Sequence, residues 1–251
     1  MLDLKQPISK IYHSISNLKL PNKDIVVNCG NYQLVVNNPR NSVIGRSIYE
    51  TGVWEADVTE FISSKIKPGW TIFDIGSHIG YYSLLFAKLA GEQGQVHCFE
   101  PSPTKETLRQ NAELNQWANL IIHDFALFDR EGTICMGERG KTRIKTEISA
   151  QDVLVDMKIF DEWKKQQDIK SFDLFKLDVE GAEFNILQGM KQTIEEFKPA
   201  ILIEVHTEML PDFGFTAVNV VDFLENAGYE IEPVDRDELI LSQGNITLYC
   251  Q

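Results

Sequence analysis

Residues Thr71 to Leu84 read TIFDIGSHIGYYSL. The first five, Thr71 to Ile75, form a short β-prone run. Gly76-Ser77-His78-Ile79-Gly80 interrupts it, and Tyr81, Leu85 and Leu89 then recur at helical spacing until Gly91. A strand that runs into a glycine turn and then a helix over about Gly80 to Ala90 is the building unit of a doubly wound α/β sheet. Such sheets bind ligands at the carboxyl ends of their strands.

The same alternation continues downstream. Gln95 to Phe99 reads as a second strand ended by Glu100-Pro101, with Ser102-Pro103 as N-cap and first-turn proline of a helix carrying Leu108, Ala112 and Leu114. Leu120 to His123 is the third strand, Arg130-Glu131-Gly132 a turn, and Gly137 to Ala150 a polar loop. Phe172 to Leu177 is the fourth strand. Ile186, Leu187, Met190, Ile194 and Phe197 stripe one helix that stops before Pro199, and Ala200 to Val205 is the fifth strand. A last helix around Val218, Val221 and Leu224 closes at Gly228. Tyr229 to Pro233 and Ile246 to Cys250 then form an antiparallel pair. Residues 1 to about 60 stand outside this pattern, with a hairpin predicted around Gly30-Asn31. The expected organisation is an appendage over 1–60, which either caps the acceptor site or packs on the sheet, and a catalytic domain over 61–251.

Composition narrows the function classes. With 251 residues, 43% hydrophobic and 24% charged, the chain has the make-up of a globular domain, and its longest apolar runs are strand-sized. The first residues lack the apolar core of a secretory signal, so a cytoplasmic protein with no membrane partner is expected. The net charge of −13 repels a phosphate backbone, and nucleic acid is not an expected partner. Cys29, Cys98, Cys135 and Cys250 lack the paired spacing of zinc or disulfide frameworks. Phe160 and Trp163 read as core, Lys164-Lys165 as a solvated helix face, and His13 and His97 as histidines without partners at ligand spacing.

The loop chemistry points to a cofactor. Gly76 and Gly80 remove side chains where the backbone must turn and approach a ligand, and Asp74 places a carboxylate there. The G-x-G-x-x-G and G-K-[S/T] phosphate cradles are missing, which disfavours a nicotinamide-dependent oxidoreductase. A ligand with a cationic end and a ribose suits the loop better, and S-adenosylmethionine has both. Glu100, 26 residues after Asp74, would accept from the ribose hydroxyls. The expected cofactor set is Asp74, Gly76, Ser77, His78, Gly80 and Tyr81, then Glu100, Pro101 and Ser102, then Asp124 toward the adenine amino group and Phe125 against its ring. A binding module without catalysis is the remaining rival.

Three blocks carry a family resemblance: Phe73 to Leu84 (FDIGSHIGYYSL), Cys98 to Asn111 (CFEPSPTKETLRQN) and Phe172 to Gly189 (FDLFKLDVEGAEFNILQG), the last continued by Ala200 to His206 (AILIEVH). Over Trp54 to His206 the chain resembles the FkbM family of methyltransferases. The resemblance implies a class I methyltransferase fold: a doubly wound, mostly parallel seven-stranded sheet with helices on both faces and, here, an N-terminal appendage. It also implies O-methylation of sugar, glycan or other secondary-metabolite hydroxyls. The small-molecule or glycan acceptor and the oligomeric state are not specified by it.

The acceptor end is read from Asp178 and Glu180, which close the fourth strand, and from Glu204 and His206, which close the fifth. Period-two geometry puts each pair on one face, so the four should converge. His206 is the expected general base, oriented by Glu204. A divalent metal on the same residues is the alternative, and the metal-free version is the expectation. Glu183 reads as an acid favoured by a helix N-terminus.

Overall fold

The computed structural model describes residues 20–136, 153–236, 238–241 and 244–251. The chain divides into two compact units, Met1–Ala56 and Asp57–Gln251. Tyr12 and His13 and the predicted loop Gly137 to Ala150 lie outside the described residues.

In the first unit, β1 (Ile25–Cys29) pairs antiparallel with β2 (Tyr32–Val36) across Gly30-Asn31, with Cys29 opposite Tyr32. Alternation along β2 turns Tyr32, Leu34 and Val36 inward, and all three are buried. Helix α1 (Val43–Thr51) is capped by Ser42, whose Oγ accepts from Gly45 N at 2.9 Å.

The second unit opens with α2 (Ala56–Lys65). It is built on seven strands: β3 (Thr71–Ile75), β4 (Gln95–Phe99), β5 (Leu120–His123), β9 (Leu174–Leu177), β10 (Ala200–His206), β11 (Ile231–Pro233) and β12 (Asn245–Cys250), in the order β11-β12-β10-β9-β3-β4-β5. The strands β3, β4, β5, β9 and β10 are parallel, and β12 runs antiparallel to both its neighbours. The strand order reverses between β3 and β9. Right-handed crossovers running in opposite senses from that point lay helices on opposite faces. Side chains confirm this: α3 (Tyr81–Ala90) reaches Asp74 through Ser83, whereas Phe73, Ile75 and Phe175 pack with Ile186, Ile194 and Leu224 on the other face. Those residues belong to α6 (Glu183–Gly189), α7 (Lys191–Phe197) and α8 (Ala217–Asn226). The doubly wound fold read from the sequence is present, and among the described residues no helix is long and apolar enough to cross a membrane.

Several local expectations are corrected. The helix after Pro103, α4 (Lys105–Asn115), starts at Lys105 with Thr104 at its N-cap, because Ser102 to Thr104 first make a tight turn. The fourth strand begins at Leu174 rather than Phe172. The stripe from Ile186 to Phe197 is two helices broken at Met190. The break is held by the buried Asp161, whose carboxylate accepts from Gln192 N at 2.8 Å, Thr193 N at 3.0 Å and Thr193 Oγ1 at 2.5 Å. Lys164 is not a solvated residue: its side chain is 11% exposed, facing Asp161 and Glu196 and lying over the Phe172 and Phe197 rings. A second sheet, β6 (Ala126–Phe128), β7 (Gly132–Met136) and β8 (Val153–Ile159) in the order β6-β8-β7, was not read from sequence. Its apolar residues join the main core beside α5 (Phe160–Trp163), and Phe160 and Trp163 are buried as expected.

His97 does have a partner. Its Nδ1 lies 3.1 Å from His123 Nε2, and the two rings stack between Phe73, Phe99 and Trp163. Burial, reinforced for His97 by His123 and for His123 by Lys158, lowers both rings to about 4. A depressed histidine stabilises the fold fully above its unfolded value of about 6.5 and loses that contribution as pH falls toward 4. We expect the melting temperature to fall between pH 6.5 and 4 and His97→Phe to flatten that slope; an unchanged slope in the variant would reject this origin.

Candidate active site

The predicted cofactor loop lies at the reversal point. Gly76 N and Ser77 N donate to Phe99 O at 3.0 and 3.2 Å, which ties the turn after β3 to the end of β4. Gly76 has φ +84°, and a Cβ there would stand 1.9 Å from the Asp178 carbonyl oxygen. Only glycine allows the end of β3 to approach the end of β9 so closely. His78 also takes a positive φ, +50°, and its N–H donates to Glu100 Oε2 at 2.7 Å. Ser102 N donates to Glu100 Oε1 at 2.8 Å, so one carboxylate ties the loop after β3 to the loop after β4. Asn111, which the sequence reading passed over, donates from its buried amide to Ile79 O at 2.8 Å.

Other members of the predicted set take supporting positions. Asp74 has no exposed side-chain surface. It accepts from Ser83 Oγ at 2.5 Å and faces Lys176 Nζ at 3.8 Å, so its carboxylate ties α3 to β9 rather than facing solvent beside the loop. Burial raises its pKa despite the charge of Lys176. Ser77 Oγ donates to Asp74 O at 2.7 Å, Ser102 Oγ bonds Thr104 Oγ1, Tyr81 is buried and Pro101 is half-buried. Asp124 is open to solvent, its side chain 60% exposed, near Lys105 and Arg109. Phe125 is 8% exposed and packs edge-on to Phe99, with Lys158 over its ring.

At the acceptor end the structure brings together three of the four predicted residues. Asp178, Glu204 and His206 each offer a ligand atom within 4.8 Å of the others. Glu180 is not among them. The strand ends at Leu177, and the chain turns through Glu180 (φ +51°) and Gly181 (φ +106°), so period two no longer applies there. The carboxylate that orients His206 is Glu183 rather than Glu204: Glu183 Oε1 lies 2.7 Å from His206 Nδ1 and also accepts from Gly181 N at 2.9 Å. Glu204 Oε1 lies 3.7 Å from His206 Nε2 and accepts from Asn245 Nδ2 at 2.8 Å. Burial alone would lower His206, but the hydrogen bond and charge of Glu183, with Glu204 and Asp178, raise it to about 9. Burial alone would raise Asp178, yet Lys176 at 3.2 Å and His206 hold it below the usual carboxylate range.

The two halves of the site are therefore joined by Gly76 against Asp178 and by Lys176, which bridges Asp74 and Asp178. The Methyltransferase FkbM domain matches residues 74–231, the span holding every residue just described except Asn245. The chain belongs to the FkbM methyltransferase family. Within curated proteins, the FkbM chain is 25% identical over 155 residues to the 2-O-methyltransferase NoeI of Sinorhizobium fredii, covering 54% of this chain and 63% of that one. It is 24% identical to the hexuronic acid methyltransferase AglP of Haloferax volcanii, covering 73% and 74%. The crystal structure of Methyltransferase FkbM from Methylobacillus flagellatus superposes with a TM-score of 0.52 at 18% identity, over 78% of this chain and 47% of that one, and shows the shared fold.

For this FkbM chain, Glu100→Ala removes the acceptor of the His78 and Ser102 N–H groups as well as any bond to a ribose. Charge-assisted bonds of this kind contribute about 1.5 to 3 kcal/mol. S-adenosylhomocysteine affinity should drop by about tenfold or more by calorimetry. Unchanged affinity would remove Glu100 from the cofactor site.

Proposed function

We propose that this protein transfers the methyl group of S-adenosylmethionine to a hydroxyl oxygen of a sugar, glycan or other small secondary metabolite. The observation that carries the reading is the contact of Gly76 with Asp178, which sets the cofactor loop beside the Asp178, Glu204 and His206 cluster. In the reaction the acceptor oxygen forms a bond to the methyl carbon as the carbon–sulfur bond breaks. The electron pair of that bond returns to sulfur, giving S-adenosylhomocysteine, and the hydroxyl proton leaves toward the cluster. Glu100 holds the ribose, and Asp124 and Phe125 flank the adenine. The name of AglP, a hexuronic acid methyltransferase, supports a carbohydrate acceptor, and that of NoeI, a 2-O-methyltransferase, supports an oxygen as the methylated atom.

The experiment is incubation with methyl-labelled S-adenosylmethionine and a panel of sugars, uronic acids, glycans and phenols. Label in a methyl ether of a sugar is the expected product; label in a phenol or an amine alone would reject the acceptor class. We further propose that the first unit, which contributes none of the cofactor-loop residues, selects the acceptor. Its removal should spare S-adenosylhomocysteine binding and abolish turnover, and undiminished turnover would reject that role.

A further inference from the structure

In the cluster at the ends of β9 and β10, one ring nitrogen faces two carboxylates without hydrogen-bonding either. His206 is 5% exposed, its Nδ1 is bonded to Glu183 at 2.7 Å, and its Nε2 makes no hydrogen bond. Nε2 is aimed between two carboxylate oxygens, Glu204 Oε1 at 3.7 Å and Asp178 Oδ1 at 3.8 Å. A ring N–H donating to either carboxylate would draw it in to about 2.8 Å. The observed spacing is instead near that of three ligands around one ion: metal–ligand distances of about 2.1 Å leave neighbouring ligand atoms roughly 3 to 3.5 Å apart.

Two further features agree. A metal-bound histidine characteristically donates its other ring N–H to a carboxylate, which fixes the tautomer and aims the free lone pair at the ion. Glu183, fully buried, stands at that position behind His206. The side chains of Asp178 and Glu204 are 29% and 20% exposed, which leaves an open side for water or an acceptor oxygen.

We propose that Asp178, Glu204 and His206 bind one divalent cation of the Mg²⁺ or Mn²⁺ type, with Glu183 fixing the histidine. Two carboxylates and one imidazole suit these ions better than a thiolate-seeking metal. The inference rests on the methyl-transfer reading for its purpose, which is to hold the acceptor hydroxyl and lower its pKa. His206 then serves as a ligand, where the sequence alone favoured a base.

The test is titration of the full chain, stripped with EDTA, with Mn²⁺ followed by the electron paramagnetic resonance of the free ion. One equivalent should bind at micromolar affinity, weakened at least about tenfold in Glu204→Gln and in His206→Gln. S-adenosylhomocysteine calorimetry on the same samples reports the intact fold. Absence of Mn²⁺ binding in a chain that still binds S-adenosylhomocysteine, or binding that both variants leave unchanged, overturns the ion site. Failure to bind S-adenosylhomocysteine would count against the methyl-transfer reading instead, and the Mn²⁺ stoichiometry would still decide the ion.

Discussion

Gly76→Val is expected to abolish cofactor binding and to lower the melting temperature by about 10 °C. Two costs combine. A β-branched residue at φ +84° is held in a region such side chains avoid, at about 1 to 3 kcal/mol. Its Cβ would also stand 1.9 Å from the Asp178 carbonyl, so the turn must rotate or the end of β9 must move. Either movement separates the Gly76 turn from the Asp178, Glu204 and His206 cluster. Gly91→Ala separates the two costs, because Gly91 has φ +68° with nothing within 4 Å of a Cβ. That control should lose only a few degrees and keep S-adenosylhomocysteine affinity. Near-wild-type affinity in Gly76→Val would remove this loop from the cofactor site.

His206→Ala is expected to reduce turnover by about a hundredfold or more while leaving S-adenosylhomocysteine affinity within a few-fold. The imidazole lies beyond the cofactor loop, so its loss strikes the acceptor step. Removing it also leaves Glu183, fully buried, without the ring nitrogen it bonds, which costs about 1 to 3 kcal/mol of stability. His206→Gln keeps a donor for Glu183 and should restore much of that stability but little of the turnover. If either variant retains turnover within a few-fold of wild type, His206 has no place in the chemistry.

The strands of the seven-stranded sheet and the glycine turn after β3 were legible in the sequence because each rests on local periodicity. The run TIFDIG carries its own strand and its own turn, and the Asp74-to-Glu100 spacing follows from one strand–helix–strand unit. The acceptor cluster was half legible. Glu204 and His206 lie within β10, where alternation holds, whereas Glu180 lies past the end of β9, where it does not. Glu183 stands in the first turn of α6, as read, but that local explanation in the helix dipole left its second role unseen. Nothing local announces a histidine 23 residues away on another strand. One signal was available: Lys176 sits inside an apolar strand, and a buried cation requires nearby carboxylates. Asp161 and the His97–His123 pair escaped for the same reason, since their partners come from distant elements. The small sheet of β6, β7 and β8 escaped because two of its strands flank residues 137–152 and pair across them.

The measurement that tests the account most directly is calorimetry of the purified chain with S-adenosylhomocysteine beside NAD and NADP. The loop at Gly76 to Gly80 lacks the glycine pattern of a pyrophosphate cradle, and Glu100 accepts from His78 N and Ser102 N beside it. The account predicts one equivalent of S-adenosylhomocysteine bound and no heat from either dinucleotide. Saturable binding of NAD or NADP with none of S-adenosylhomocysteine would contradict it.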